Sequence, residues 1–160
     1  MKKNIIITGG LGYIGTELCK LYSGVSWNHE IVVIDNRFIS ERVNQLRNWN
    51  IEFVQGDILD RELVTKYFKD ADTVHHLAGI TDVPRVQSES SKIQDEKIKE
   101  VAEKGTQNIL DIISDKCKII FPSTHVVYEG INQVKTDIKE EEKTNPILSY
   151  STSKDINEKQ

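Results

Sequence analysis

The run Asn4-Ile5-Ile6-Ile7-Thr8-Gly9-Gly10-Leu11-Gly12-Tyr13-Ile14-Gly15 decides the fold. Its first five residues form a β-branched apolar run closed by two glycines, which predicts a short buried strand. Behind the glycines, Ile14, Leu18 and Leu21 recur at i, i+4 and i+7 within residues 13–22, which predicts one apolar face of a helix. A G-x-x-G-x-x-G spacing has chemical meaning when a strand precedes it and a helix follows. The glycines allow a sharp turn and a close approach of backbone to a pyrophosphate. The start of the helix offers N–H groups and the positive end of its dipole to the same negative charge.

Working outward, residues 30–34 predict a second buried strand that ends at Asp35. Asp35 follows Gly15 by about 20 residues, the position from which a carboxylate accepts the adenosine ribose hydroxyls. A carboxylate there repels a 2′-phosphate, so NAD is expected over NADP. Arg37, two residues on, is the cation able to accommodate that phosphate. A weaker helical pattern covers residues 40–49, and residues 51–54 read as a third strand. Asp60 is placed to N-cap a helix with Leu63, Val64, Tyr67 and Phe68 on its face. Residues 73–78 predict a fourth strand. Residues 90–114 predict a long polar helix with Ile98, Val101, Ile109 and Ile112 on one side. Residues 118–121 predict a fifth strand stopped by Pro122. A charged loop over residues 135–145, with Lys139-Glu140-Glu141-Glu142-Lys143 as solvated surface, leads to a last helix from Ser149.

Strands alternating with helices at this spacing imply βαβ units and right-handed crossovers. The fold class is α/β, a doubly wound, Rossmann-like parallel sheet within one domain over residues 1–160. Of the 160 residues, 38% are hydrophobic and 29% charged, with a formal net charge of −4. A mild acidic excess argues against nucleic acid or an anionic membrane as partner. No stretch approaches the roughly 20 apolar residues of a membrane span. The N-terminal apolar run stops at Ile7, too short for a signal peptide, so a cytoplasmic location is expected. Cys19 and Cys117 stand far apart in no metal-binding pattern and are expected to be two buried thiols. No disulfide and no metal site are implied. His75 and His76 read as strand-end packing residues rather than ligands.

The turn Thr8-Gly9-Gly10-Leu11-Gly12-Tyr13-Ile14-Gly15 resembles the T-G-G-x-G-Y-I-G of the extended short-chain dehydrogenase/reductases, the NAD-dependent epimerase/dehydratase family. Further matches follow in order. Gly56-Asp57-Ile58 resembles the adenine-contacting G-D-I/L, and His75-His76-Leu77-Ala78-Gly79 resembles H-L/F-A-A/G. Gly105-Thr106-Gln107-Asn108-Ile109-Leu110 resembles G-T-x-N-L-L. Phe121-Pro122-Ser123-Thr124-His125-Val126-Val127-Tyr128 resembles F-x-S-S-x-x-V-Y. Asn145-Pro146-Ile147-Leu148-Ser149-Tyr150-Ser151-Thr152-Ser153-Lys154 resembles P-x-S-x-Y-G-x-S-K. The chain is identified as a member of this family along its whole length.

The resemblance implies an NAD site on Gly9, Gly12, Tyr13, Ile14 and Gly15 at the phosphates, and on Asp35, Asn36 and Arg37 at the ribose. Asp57 and Ile58 lie at the adenine, and Leu77, Ala78 and Gly79 complete the site. Tyr150 and Lys154 match the catalytic Y-x-x-x-K pair and share a helix face at i, i+4. A phenol near its reference pKa of about 10 is a poor base, and an adjacent ammonium and an oxidised nicotinamide are expected to favour phenolate. Lys154 also holds the nicotinamide ribose, and Thr124 hydrogen-bonds the reacting oxygen. Two departures stand out: Ala102 replaces an Asn of the long helix, and Pro122 replaces a small residue. The triplet Thr124-His125-Val126 lacks the carboxyl groups that the family's dehydratases carry there, which disfavours elimination, and His125 reads as polar lining.

The resemblance also implies a nucleotide-diphosphate sugar as substrate and an epimerase-type reaction, with a reductase, decarboxylase or dehydratase as alternatives within the class. A dinucleotide-binding module without turnover, or a truncated product, is the alternative outside it. Family members run to about twice this length and add a C-terminal substrate domain, so the chain is expected to be the N-terminal half. It should then be marginally stable, prone to associate through an uncovered fifth strand and Ile156, and very slow as a catalyst by itself. A homodimer pairing the helix of residues 90–114 with the Tyr150 helix is expected.

Overall fold

The computed structural model describes residues 2–81, 92–131 and 136–160. Strands β1 (Lys3–Thr8), β2 (His29–Asp35), β3 (Glu52–Gln55), β4 (Thr73–His76) and β5 (Lys118–Ile120) form one sheet in the order β3-β2-β1-β4-β5, every pair parallel. Helices α1 (Tyr13–Ser23), α2 (Ser40–Asn48) and α3 (Arg61–Phe68) connect the first four strands. This order, with the chain winding outward from β1 in both directions, is the doubly wound arrangement expected. The chain divides into two compact units. One holds residues 1–79 and 107–122, the other residues 80–106 and 123–160.

In the first unit, side chains alternate between the two faces of the sheet. Ile5 and Ile7 stand in register with Ile31 and Val33 on β2, and with Thr73 and His75 on β4. They form one core with Leu11, Cys19, Val43, Leu46 and Ile51, against which Leu18, Tyr22 and Phe53 pack. The other face carries Ile6, Thr8, Ile34, Val74 and His76, all buried. Asp60 caps α3 as expected: its carboxylate accepts from the N–H groups of Glu62 (3.0 Å) and Leu63 (3.1 Å). α2 ends in a Schellman motif. Asn50 adopts a left-handed φ of 55°, its N–H meets the Arg47 carbonyl at 3.0 Å, and the Ile51 N–H meets the Leu46 carbonyl at 2.9 Å.

The turn after β1 depends on missing side chains. Gly9 has φ +65°, and a Cβ there would stand 2.8 Å from the Ala78 nitrogen. A Cβ on Gly15 would stand 2.5 Å from the Gly10 Cα, so α1 lies closer to the turn than any side chain permits. The Thr8 hydroxyl accepts from the Ala78 N–H (3.0 Å) and lies 2.9 Å from Nδ1 of His76, which ties the ends of β1 and β4 together. His75 points to the opposite face and meets the Tyr22 hydroxyl at 2.8 Å. Both histidines are buried strand-end residues, as expected.

Four expectations need correction. The buried side of α1 is Gly15 and Cys19, flanked by Leu18 and Tyr22, while Ile14 and Leu21 are exposed. The glycine brings the backbone against the turn, and that close approach overrides the aliphatic spacing. The helix expected over residues 90–114 (its first two residues lie outside those described) is interrupted. α4 (Lys92–Glu100) runs into a π turn (Val101–Gly105), and α5 (Thr106–Leu110) stops four residues early. Gly105 lowers helix stability at the break. Cys19 is buried, but Cys117 is only half-buried on the approach to β5. In the charged loop, Lys135 falls outside the described residues, and Glu142 is half-buried rather than solvated.

Two outcomes are expected. Gly9→Ala should cost roughly 1–3 kcal/mol in urea unfolding, from left-handed strain plus the clash with Ala78. Burial, reinforced by Lys118, holds the His75 imidazole below its ordinary range. The unfolded chain therefore binds this proton first, and stability falls as pH drops below about 6.5. A thermal scan against pH should show that loss, and His75→Gln should remove it.

Candidate functional site

In the first unit, α1 starts at Gly12, which supplies extended backbone and no side-chain cap. Tyr13 is 81% and Ile14 60% exposed, so their side chains stand clear of the core. The Gly12 N–H meets the Gly9 carbonyl at 2.9 Å, which closes the turn on itself. A glycine-rich turn in front of a helix start fits a phosphate group, because charge is met by backbone donors and no Cβ stands at Gly9, Gly12 or Gly15.

Asp35 is nearly fully buried beside this turn. Its Oδ2 accepts from the Leu11 N–H at 3.0 Å, which couples the end of β2 to the glycine turn. Arg37 folds back on the same carboxylate. Its N–H and Nε reach Oδ1 at 3.0 and 3.1 Å, and its Nη2 reaches Oδ2 at 3.2 Å. Arg42 of α2, which the sequence did not single out, donates to the Leu11 carbonyl. Leu11 is thus held by Asp35 at its N–H and by Arg42 at its carbonyl. Asn36 donates to Asp57 Oδ2 at 3.2 Å, and Asp57 Oδ1 accepts from the Leu59 N–H at 3.0 Å. Ile58 is buried. Leu77 and Ala78 pass against Gly9, while Gly79 is exposed with nothing near its missing Cβ. The structure therefore brings Gly9, Gly12, Gly15, Asp35, Leu77 and Ala78 together at the turn after β1, with Arg37 on Asp35, while Asn36 and Asp57 meet each other.

In the second unit, α6 (Ser149–Lys159) carries Tyr150 and Lys154 one turn apart, with the Lys154 Nζ 5.9 Å from the Tyr150 ring centroid. Burial pushes the Tyr150 phenol up and the Lys154 amine down. The expected lowering of the phenol by the ammonium is thus not visible in the chain by itself. Thr124 caps the 3-10 turn His125–Tyr128, its Oγ1 accepting from the Val126 N–H at 3.3 Å. His125 is exposed.

Ala102 falls in the π turn, a helix defect often found at functional sites. A side-chain amide from α6 reaches the same segment. Asn157, oriented to satisfy its neighbours, donates to the Ala102 and Ser153 carbonyls at 3.2 Å and accepts from the Thr106 hydroxyl at 3.0 Å. Asp155, buried next to Lys154, accepts from Thr144 (2.6 Å) and Lys159 (2.5 Å) and anchors the preceding loop. No spacing in the sequence announces Arg42 or Asn157, because each acts on a segment far along the chain.

The family model described as the 3-beta hydroxysteroid dehydrogenase/isomerase family matches residues 6–160. The chain is 31% identical to a UDP-glucose 4-epimerase of Neisseria meningitidis serogroup C, over 98% of this chain and 47% of that protein. It is 30% identical to a dTDP-D-glucose 4,6-dehydratase of Dictyostelium discoideum, over 95% of this chain and 38% of that protein. A crystal structure of UDP-glucose 4-epimerase from Brucella ovis in complex with NAD matches with a TM-score of 0.77 at 30% identity, over 98% of this chain and 46% of that one. The chain spans less than half the length of these relatives. Among the described residues, no helix is long and apolar enough to cross a membrane. With the sheet order, the glycine turn and a match along nearly its whole length, the chain belongs to the 3-beta hydroxysteroid dehydrogenase/isomerase family, among the epimerase/dehydratase-like extended short-chain dehydrogenases.

Proposed function

We propose that the chain is the cofactor-binding and base-carrying part of an NAD-dependent enzyme that acts, epimerase-like, on a nucleotide-diphosphate sugar. The observation that carries this reading is the Tyr150–Lys154 pair on one face of α6, in a chain whose glycine turn ends beside the buried Asp35. The reaction class is reversible oxidation of a sugar hydroxyl, for which NAD, when bound, supplies the hydride acceptor. Gly9, Gly12 and Gly15 with the start of α1 would hold its phosphates, and Asp35 the adenosine ribose. Tyr150 Oη takes the proton of the reacting hydroxyl, and Thr124 Oγ1 donates to its oxygen. Lys154, with its Nζ 5.9 Å from the Tyr150 ring centroid, would favour the phenolate and hold the second ribose. NAD is favoured over NADP because Asp35 presents a carboxylate where a 2′-phosphate would come.

Elimination of water needs an acid and a base close to Thr124, and His125 and Val126 offer no carboxyl group. The nearest acid along this segment, Glu129, is already occupied by Ile147, Leu148 and Ser151. This favours epimerisation over dehydration. A binding module without turnover is the second reading, and the burial that raises the Tyr150 phenol speaks for it.

Calorimetric titration with NAD and with NADP tests the cofactor part. Saturable NAD binding is expected, weakened roughly 10- to 100-fold in Asp35→Ala by loss of hydrogen bonds to a charged group. A folded chain that binds neither dinucleotide overturns the reading. Incubation of the NAD-loaded protein with UDP-hexoses tests the chemistry. Tyr150→Phe should lower interconversion by about 10²- to 10⁴-fold, the usual contribution of a positioned base, and turnover unchanged in that variant rejects Tyr150 as the base.

A further inference from the structure

α6 begins without a cap of its own. Leu148 stands at its N-cap in extended conformation and contributes no side-chain acceptor. The acceptor comes from 19 residues upstream. Oε1 of Glu129 receives the N–H groups of Ile147 (2.9 Å) and Leu148 (2.7 Å), together with the hydroxyl of Ser151. Ser151 is fully buried, and its oxygen also lies 2.9 Å from the Leu148 carbonyl, so one proton is shared between two acceptors. Burial opposes the charge on Glu129, but the donors from Leu148, Ser151 and Ile147 prevail and hold its carboxyl below the ordinary range.

Glu129 is itself fixed on both sides. Its N–H closes the His125–Tyr128 turn on the Val126 carbonyl at 3.0 Å. Next to it, the Gly130 N–H meets the Asn145 carbonyl at 2.9 Å, and the Asn145 side chain returns a bond to the Gly130 carbonyl at 2.5 Å. The Asn145 N–H meets the Val127 carbonyl at 2.9 Å. The turn and the approach to α6 are therefore zipped together, with Glu129 at the end of the zip. Tyr150 is the second residue of the helix that follows.

We propose that Glu129 is a positioning residue, whose single carboxylate oxygen sets where α6 begins and so how Tyr150 and Lys154 are presented. The inference rests on the reading of Tyr150 as the base. Tyr150 stands in the first turn of α6, where the backbone N–H groups have no intrahelical partner and the segment held by Glu129 leads straight into it. Glu129 lies just past the last residue of the F-x-S-S-x-x-V-Y resemblance, and nothing in that pattern assigns it a role.

The test compares Glu129→Gln with Glu129→Ala. Both remove the same charge, but only Gln keeps an acceptor oxygen. Folding is checked by circular dichroism. The Tyr150 phenol is titrated by NMR in chain carrying ring-labelled tyrosine, its signal assigned through Tyr150→Phe. The Ala variant is expected to titrate about half a pH unit or more away from the Gln variant, because only Ala releases the first turn. Coincident midpoints in the two folded variants overturn the proposal. Should the Ala variant not fold, Ser151→Ala, which removes a donor and leaves charge unchanged, is held to the same criterion against wild type. Failure of the base reading shows elsewhere: Tyr150→Phe then leaves UDP-hexose turnover intact, independent of the gap between Gln and Ala.

Discussion

At Gly9 and Gly15, backbone lies against backbone with no room for a Cβ, and the rest of the first unit is arranged around that contact. Because Gly15 lets α1 sit down on the turn, the helix starts at the carboxyl ends of β1 and β2 and not beyond them. Because Gly9 takes a left-handed φ, the chain leaving β1 passes under Ala78 and leaves the Thr8 hydroxyl free to join Ala78 and His76. Asp35, one residue past the last β1–β2 register pair, is then within reach of the Leu11 N–H. The crevice of a doubly wound sheet forms where connections leave one strand in opposite directions, here at β1.

The second unit solves a different problem. Its helix α6 is only weakly apolar, and the described contacts that fix it are polar. Glu129 holds its start, Asp155 ties its middle to Thr144, and Asn157 joins its far end to the π turn. Glu129 and Asn157 act on groups at the start of α6 and at the π turn, while Asp155 holds the loop that leads into the helix. Buried polar contacts specify one geometry more narrowly than apolar packing of the same area, because a slipped arrangement leaves donors unmet. That suits a helix whose Tyr150 and Lys154 need a fixed mutual placement.

Much of the first unit was legible because local sequence and tertiary role coincide there. Ile5, Ile6 and Ile7 are a strand by composition and a core by burial. Asp60 caps the helix it precedes, and the glycine spacing marks the turn it builds. Legibility failed where one requirement overrode another. Ile14 and Leu21 had the right spacing for a core face, yet close packing at Gly15 rotated the helix toward Cys19. The break at Val101–Gly105 has no sequence signature beyond a glycine, since a π turn is stabilised by what packs on it, here Asn157. Glu129 and Arg42 were invisible for a simpler reason: a lone charged residue gains a partner only when a distant segment folds back to it.

The Asp35–Arg37 pair has a consequence of its own. The guanidinium already occupies both oxygens of the carboxylate, so the chain carries an internal competitor at the position expected to receive a diol. A ligand that uses Asp35 must therefore displace an intramolecular partner instead of filling open space, and its affinity is the difference between two sets of bonds.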